Sequence, residues 1–274
     1  MTPRLIIESV TTPQEALDAL AASTPYPIGV FAERFDAGPT PALALSPDAP
    51  FPAASTLKIA IVLEAFCQDR DLGARVALRD EDKVRGSGVL ASLDAGATLT
   101  VRDLVTLTST ISDNTAANLL LEYVGRAQVN ERLAALGLET RIRGRIFVPG
   151  EAGETSETTP RELVRLLRRI EHADGLPRGA CDATLALLAK THTASTIGRG
   201  LPDTRFDEGG PIKLAHKTGS IVGVVADAGI VRTPNGAYAI ALMSREVPDR
   251  RPNHDNLARI ALGEASRIVF EAFG

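Results

Sequence analysis

Apolar residues form short β-type runs near both ends of the chain and recur with a helical period between them. The β-type runs predict strands at residues 28–35, 42–45, 212–217, 224–232 and 237–245. The helical period predicts helices at residues 12–22, 56–67, 101–109, 115–123, 127–136, 160–171, 180–190 and 256–273. The chain therefore has strands towards both ends and a middle that is rich in helix.

This distribution predicts an α+β fold. The strands near the two chain ends are expected to pair in one antiparallel sheet, covered by the terminal helices, and a turn at residues 234–236 joins the last two strands. We expect residues 1–50 and 205–274 to form this sheet-and-helix domain. Residues 51–204 are expected to form an inserted all-helical domain, with the active site in the cleft between the two.

Composition excludes several classes of partner. The net charge is −4, and the chain has three Tyr and no Trp, so neither a basic stripe nor a stacking platform for nucleic acid is expected. No apolar stretch reaches the roughly 18 residues that cross a bilayer, and residues 5–7 are too short for a signal peptide. We expect no membrane partner and a cytoplasmic location, unless an export signal has been removed.

Metal-ligating residues are scattered along the chain. The histidines have no paired spacing that would suit zinc: His172, His192, His216 and His254. Cys67 and Cys181 are far apart in sequence and are expected to be buried free thiols. The sequence therefore predicts no metal and no cofactor.

Lysine is rare in this chain, and one lysine has an unusual setting. Only five of the 30 basic residues are lysines, and Lys58 lies in an almost wholly apolar helix. A buried ammonium needs a partner or a lowered pKa. Ser55 precedes Lys58 by about one turn on the same face, so a neutral Lys58 can accept its hydroxyl proton. The alternative is that Ser55 only caps the helix and Lys58 extends to solvent.

Two further groups of polar residues can likewise have either a structural role or a role in catalysis and binding. Ser112-Asp113-Asn114 precedes a helix, where Asp or Asn commonly acts as an N-cap. His216-Lys217-Thr218-Gly219-Ser220 ends a β-type run. Gly219 can be a simple turn, but this segment also offers backbone amides and a cation beside a substrate carboxylate.

The three groups together have a specific meaning. S-x-x-K, S-D-N and K-T-G, in this order, form the motif set of class A β-lactamases and penicillin-binding proteins. The sequence resembles this family of active-site serine hydrolases over nearly its whole length. The resemblance implies that Ser55 is acylated by a β-lactam or an acyl-peptide, with Lys58 as general base. The backbone N–H groups of Ser55 and Ser220 would form the oxyanion hole.

The resemblance also implies roles for the other two motifs. Ser112 would relay a proton towards the leaving nitrogen, and Asn114 would orient Lys58 or the substrate amide. The segment Lys217-Thr218-Gly219-Ser220 would bind the substrate, with Lys217 and Thr218 on its carboxylate.

One feature of the family pattern is missing. Class A β-lactamases carry a glutamate within E-x-x-L-N that activates the deacylating water, and residues 143–160 lack this motif. Glu151, Glu154 and Glu157 are candidates by position alone, and Glu151 is the preferred one. We therefore expect intact acylation and slow deacylation. Cys67 and Cys181 do not match the family's usual disulfide.

Three functions follow from these patterns. The first is a β-lactamase-like hydrolase of cyclic amides, and the second is a D-alanyl carboxypeptidase or small esterase that uses the same serine. The third is an idle binding protein that has kept the fold, against which the intact Ser55, Lys58, Ser112 and Lys217 argue. In each case the expected partner is a small molecule, either a β-lactam or an acyl-peptide.

Overall fold

The computed structural model describes residues 12–36, 41–68, 70–152, 156–193, 196–202 and 210–274. These residues form an α+β fold, as predicted. The α-helices in this part of the chain are α1 Pro13–Ser23, α2 Lys58–Cys67, α3 Val101–Thr110, α4 Asn114–Val124, α5 Arg126–Ala135, α6 Pro160–His172, α7 Arg178–Leu188 and α8 Leu257–Phe273. The strands are β1 Ile28–Arg34, β2 Leu43–Leu45, β3 Phe51–Pro52, β4 Arg75–Ala77, β5 Thr98–Thr100, β6 Glu157–Thr158, β7 Lys213–Ile221, β8 Val224–Thr233 and β9 Gly236–Ser244.

Strands from both ends of the chain form one five-stranded sheet. Its order is β2-β1-β9-β8-β7, and every neighbouring pair is antiparallel. The first strand therefore pairs with the last, which confirms the predicted sheet and leaves β7 at an edge. Helices α2 to α7 lie between β2 and β7 in the sequence. The division into two domains at residues 50 and 204 stays a prediction.

The sheet separates two hydrophobic cores. Helices α1 and α8 cover one face, and α6 and α7 lie against the other. Successive side chains of β1 point to opposite faces, so Phe31 joins the core on the α6 side while Val30 and Ala32 join the core under α1 and α8. The larger core also includes α2, which is buried almost all round.

The helix starts follow from local sequence signals. The side chains of Thr12, Thr159 and Asn256 each accept a hydrogen bond from a backbone N–H in the first turn of α1, α6 and α8. Pro13 and Pro160 then occupy the first helical position, where a missing N–H costs nothing.

Other sequence predictions concern membranes and cysteines. Among the described residues, no helix combines the length and apolar character that crossing a membrane requires. Cys67 and Cys181 are free thiols; Cys181 is buried and Cys67 is only partly so.

Candidate active site

Ser55 lies in a short 3₁₀ helix, Ala54–Leu57, that leads directly into α2. Ala54 has a φ of 47°, in the left-handed region, which turns the chain sharply before the serine. Ser55 is partly exposed, whereas the next two residues are buried. The predicted position of Ser55 at a helix start is therefore correct.

Strand β7 passes directly beside Ser55. A Cβ atom at Gly219 would lie 2.7 Å from the Ser55 backbone nitrogen and 3.0 Å from the Cβ of Ala54. Real Cβ atoms do not make such contacts with backbone, so this close approach requires glycine. It brings the exposed Ser220, the next residue of β7, to the N-terminal end of the 3₁₀ helix.

Lys58 is buried in α2 with its ammonium group held by three oxygens. Its side chain is 1% exposed. Nζ lies 2.6 Å from the Ser112 carbonyl oxygen, 3.2 Å from Ser112 Oγ and 2.7 Å from Asn114 Oδ1. Burial lowers the pKa of Lys58 well below its ordinary value; the charge of Lys217 lowers it further, and Asp113 opposes the shift.

The backbone and hydrogen bonds of the S-D-N segment hold the oxygens of Ser112 and Asn114 in place around Lys58. Ser112 has a φ of 60°, which turns both its carbonyl and its hydroxyl towards Lys58. Asn114 donates its amide to the carbonyl of Arg85, 3.0 Å away, so its oxygen faces Lys58. Asp113 is the N-cap of α4, as its sequence position suggested, and it also binds the backbone N–H groups of Val89 and Leu90.

Lys217 is fully buried in β7, next to Gly219. Its Nζ donates to the carbonyl of Thr218 at 2.9 Å. Burial lowers the pKa of Lys217 to about 7, although the negative charge of Asp227 opposes this shift. Thr218 is also buried. The structure therefore brings both lysines, the S-D-N segment and Ser55 together around one end of β7.

The hydrogen bonds of Lys58 suit a neutral amine. A neutral amine has two hydrogens, and the carbonyl oxygens of Ser112 and Asn114 can only accept. These two oxygens take both hydrogens, which leaves the nitrogen lone pair for a hydroxyl group. Ser112 Oγ, 3.2 Å from Nζ, accepts a hydrogen bond from the protonated lysine, and at the same distance its hydroxyl can donate to the neutral amine. This arrangement can pass a proton between Lys58 and Ser112.

One expected contact is not formed. We expected Lys58 to lie within hydrogen-bonding reach of Ser55 as well as Ser112 or Asn114. Among the hydrogen bonds of the described residues, Lys58 bonds to Ser112 and Asn114 but not to Ser55 Oγ. The oxygens that lie within hydrogen-bonding distance of Lys58 Nζ belong instead to Ser112 and Asn114, so the side chain points to the S-D-N segment.

Glu151, the candidate deacylation base, has a different partner. Its Oε1 lies 2.6 Å from Arg145 Nη2, and its Oε2 accepts the Arg145 backbone N–H at 2.7 Å. These hydrogen bonds hold the pKa of Glu151 below its usual value, which makes the carboxylate a weak base. Glu157 is exposed and faces Arg143, and Glu154 lies outside the described residues. A catalytic role for Glu151 stays a prediction, and its contacts with Arg145 argue against it.

Sequence reasoning missed a clamp between α4 and the loop that follows α5. Asn118 donates to the carbonyl of Ile146 at 2.9 Å and accepts its backbone N–H at 2.8 Å. Asn118 follows Asn114 by one turn, so both amides lie on one face of α4. The clamp brings the ring of Phe147 near Gly86, where a Cβ atom would lie 3.3 Å from Phe147 and 2.5 Å from Asn114 Nδ2. The four-residue spacing of the two asparagines was the available signal.

A second missed feature is a buried hydrogen bond between His216, which precedes Lys217 in β7, and Asp227 of β8. His216 Nδ1 lies 2.9 Å from Asp227 Oδ1, and both side chains are fully buried. No sequence signal pointed to this pair, because Asp227 lies in a run that otherwise predicts an apolar strand. No group of three or more His, Cys, Asp or Glu side chains that could hold a metal occurs within the described residues.

Comparisons with known proteins agree with this geometry. The model of the Beta-lactamase enzyme family matches residues 12–273. A β-lactamase of Streptomyces albus G is 30% identical over 97% of this chain and 86% of its own length. β-Lactamase AST-1 of Nocardia asteroides is 30% identical over 98% of this chain and 87% of its own.

Solved structures are similar over the same extent. The crystal structure of a β-lactamase from Sphaerobacter thermophilus DSM 20745 has a TM-score of 0.83 and 32% identity, covering 96% of both chains. The structure of PBP-A has a TM-score of 0.81 and 28% identity, again over 96% of both chains. The family match covers nearly the whole chain, and these relatives share its fold. The chain therefore belongs to the β-lactamase enzyme family and is a serine hydrolase of the β-lactamase type.

Proposed function

We propose that Ser55 is the nucleophile of this hydrolase, that a β-lactam acylates it, and that hydrolysis of the acyl-enzyme limits turnover. The observation that carries the proposal is the buried Lys58, whose two carbonyl partners leave a lone pair for a hydroxyl proton. A buried lysine whose pKa is lowered in this way can act as a general base.

Acylation uses three groups around the serine. Lys58 accepts the Ser55 hydroxyl proton while Oγ bonds to the β-lactam carbonyl carbon, and the backbone N–H groups of Ser55 and Ser220 stabilise the resulting oxyanion. The C–N bond of the ring then breaks. The proton passes from Lys58 through Ser112 Oγ, 3.2 Å away, to the leaving nitrogen. Asn114 keeps Lys58 in line for both transfers.

Substrate orientation comes from the end of β7. Lys217, in its protonated form, attracts the carboxylate of the β-lactam, and Thr218 and Ser220 supply hydroxyl groups beside it. Gly219 lets this end of the strand lie against Ser55. Binding the carboxylate here holds the scissile carbonyl over the nucleophile.

The two described glutamates of the loop, Glu151 and Glu157, both pair with arginine, which makes them weak candidates for the base of deacylation. Glu151 is held by Arg145, and the clamped loop presents the ring of Phe147 near Asn114. One structurally similar protein, a PBP-A mutant 28% identical to this chain, was solved as an acyl-enzyme complex with penicillin G. A related site can thus hold an acyl-enzyme, and we expect the same of Ser55 here.

The test is intact-protein mass spectrometry of the enzyme mixed with benzylpenicillin and quenched at increasing times. We expect an adduct with the mass of the whole penicillin to form quickly and decay slowly, because a missing general base typically costs about 10²–10⁴ in rate. Ser55→Ala, with its fold checked by circular dichroism, should form no adduct. Rapid turnover without an adduct would contradict slow deacylation, and an adduct on Ser55→Ala would contradict the nucleophile.

A D-alanyl carboxypeptidase is a second candidate, favoured by the structural similarity to PBP-A and by the ion-paired Glu151. Steady-state hydrolysis of a chromogenic cephalosporin and of an acyl-D-Ala-D-Ala peptide separates the two functions. A higher kcat/KM on the peptide would favour the carboxypeptidase.

A further inference from the structure

The loop that follows α5 is fastened to α4 and α5 by four polar side chains, which recur at every fourth residue of the sequence. The pairs of helix residue and loop residue are Asn130 with Ile142, Arg126 with Arg143, Glu122 with Arg145 and Asn118 with Ile146. Within α4, positions four apart lie on one face. The next position of this series is Asn114, so the loop runs along the helix towards the site.

Phe147 is the loop residue that reaches the end of this series. Its φ of 54° is in the left-handed region, which a bulky residue rarely adopts and which persists only where the surrounding structure enforces it. The guanidinium carbon of Arg85 lies over the ring, 4.7 Å from its centroid. A Cβ atom at Gly86 would lie 3.3 Å from the ring and 2.5 Å from Asn114 Nδ2. The ring and the Asn114 amide therefore lie on the same side of Gly86.

The segment that Phe147 contacts also orients the amide of Asn114. The carbonyl of Arg85 accepts a hydrogen bond from Asn114 Nδ2 at 3.0 Å, and Asn114 Oδ1 accepts one from Lys58 Nζ at 2.7 Å. Residues 85–88 are exposed and include two glycines, so their backbone has little stiffness of its own. The residues before and after them are bonded to side chains at the start of α4. Between these anchors, the ring of Phe147 packs on the exposed segment.

We propose that Phe147 is a positioning residue for acylation. Its ring holds the Arg85 carbonyl in place, and this carbonyl orients the Asn114 amide that aligns Lys58. The four pairs between the helices and the loop supply the rigidity, since they hold the backbone up to the residue before Phe147. The ring acts through Asn114 and does not touch the substrate. The inference rests on the proposed roles of Lys58 and Asn114.

Removing the ring should slow the chemical step and leave binding unchanged. A catalytic group displaced by about 1 Å can cost 10²-fold in rate. We therefore expect Phe147→Ala to acylate about 10- to 100-fold more slowly than the parent enzyme at saturating benzylpenicillin. The half-saturating concentration should stay the same, because the carboxylate-binding end of β7 is intact. Phe147→Tyr keeps the ring and should keep the parent rate. Stopped flow gives both quantities.

A double-mutant cycle tests whether the ring acts through Asn114. Asn114→Ala removes the amide that the ring orients, so adding Phe147→Ala to it should cause no further loss of rate. Two losses that multiply fully would show that the ring acts elsewhere and would overturn the proposal. An unchanged rate in a folded Phe147→Ala, or a change in the half-saturating concentration alone, would overturn it too.

A second ring on which an arginine stacks provides the matched control. Tyr123 is also half-buried, and the guanidinium carbon of Arg70 lies 5.5 Å from its centroid. Tyr123 is in α4, nine residues beyond Asn114, which is about 13 Å along the helix. Tyr123→Ala should acylate at the parent rate. Equal slowing in Tyr123→Ala and Phe147→Ala would show a general loosening of α4 and contradict a specific role of Phe147.

A second variant keeps the proposal testable if Phe147→Ala does not fold. The side chain of Arg85 is exposed, so Arg85→Ala removes the stack with little risk to the fold and keeps the carbonyl. We expect acylation at saturating benzylpenicillin to slow by about 2- to 5-fold, the effect of losing an exposed cation–π contact. In that case, the parent rate in Arg85→Ala would overturn the proposal.

Failure of the proposed function would give different results. An Asn114→Ala variant that acylates as fast as the parent enzyme would overturn the proposed role of Asn114, whatever the effect of Phe147→Ala. A parent enzyme that forms no adduct with benzylpenicillin would overturn acylation itself. The role of Phe147 is overturned only when Asn114→Ala is slow and the ring has no effect through it.

Discussion

Lys58 and Lys217 are both buried in the site, and the charges around them act differently on their pKa values. The pKa of Lys58 is lowered by burial and by its cationic neighbour, whereas Asp227 raises that of Lys217 against the effect of burial. Lys58 is thus suited to accept a proton and Lys217 to attract an anion. Arginine cannot replace Lys58, since it keeps its proton in proteins.

A buried lysine at position 217 should reduce stability in a pH-dependent way. Between pH 7 and about 10.5 the unfolded chain holds a proton on Lys217 that the folded chain has released, so the free energy of unfolding rises with pH across this window. Lys217→Met removes the penalty. We expect this variant to be about 1–3 kcal/mol more stable at pH 7 and below, with the gain shrinking towards pH 10.

Thermal unfolding followed by circular dichroism from pH 6 to pH 10 measures this gain. Lys213→Met is the matched control, because Lys213 lies in the same strand and is exposed. Equal changes in the two variants, or a gain that does not vary with pH, would show that the buried charge is not the cause.

At the level of elements, the contact between β7 and the 3₁₀ helix determines the geometry of the site. Gly219→Ala would place a methyl group 2.7 Å from the Ser55 backbone nitrogen, which forces the two elements apart. The backbone N–H groups of Ser55 and Ser220, which we propose as the oxyanion-hole donors, would then be moved apart. We expect acylation by benzylpenicillin to slow by about 10²–10³, the effect of losing one oxyanion-hole donor.

A glycine with open surroundings provides the control. Gly179 is in α7, and a Cβ atom there would have no heavy atom within 4 Å among the described residues. Gly179→Ala should leave the acylation rate unchanged, since alanine also favours helix. If Gly219→Ala acylated as fast as Gly179→Ala, the close approach of β7 would not matter for the reaction.

The long helices and strands could be predicted from the sequence because their apolar residues recur at a regular spacing. The predicted helix over 160–171 is α6, Pro160–His172, and the predicted strand over 224–232 is β8, Val224–Thr233. Strands β3 and β6 have only two residues each and were not predicted. A strand of two residues is too short to show an alternating pattern in the sequence. In addition, β3 and β6 pair although they are about 100 residues apart in the chain.

Part of the site could also be predicted from the sequence. Ser55, Lys58 and the S-D-N segment are close in sequence or belong to a recognisable motif, and the structure brings them together. The partners of Glu151 and of His216 were not predictable. Arg145 and Asp227 are ordinary residues in the sequence, and only the fold shows that one pairs with a glutamate and the other with a buried histidine.

For the whole molecule, the important feature is that one sheet serves two cores. Residues of β1 contribute to both cores, so loss of either core removes support from the same strands. The core under α1 and α8 should therefore unfold together with the active site, although Ser55 lies on the other side of the sheet.

Leu262→Ala tests this coupling. Leu262 is fully buried in α8, in the core away from Ser55, and its truncation should cost about 2–5 kcal/mol. Urea unfolding is measured by circular dichroism and, in parallel, by the fraction of protein that a fluorescent penicillin acylates. We expect the two curves to coincide and to shift together. An acylation curve that keeps the midpoint of the parent enzyme would show that the two cores unfold separately.

The distribution of lysines also has a practical consequence for chemical modification. Lys58 and Lys217 are 1% and 0% exposed, whereas Lys190 and Lys213 are exposed and Lys83 is partly so. Amine-reactive dyes, cross-linkers and activated surfaces require an accessible nitrogen. They should attach at the latter three positions and leave both site lysines unmodified. The protein can therefore be immobilised or labelled through its amines while Ser55 is still open to a penicillin.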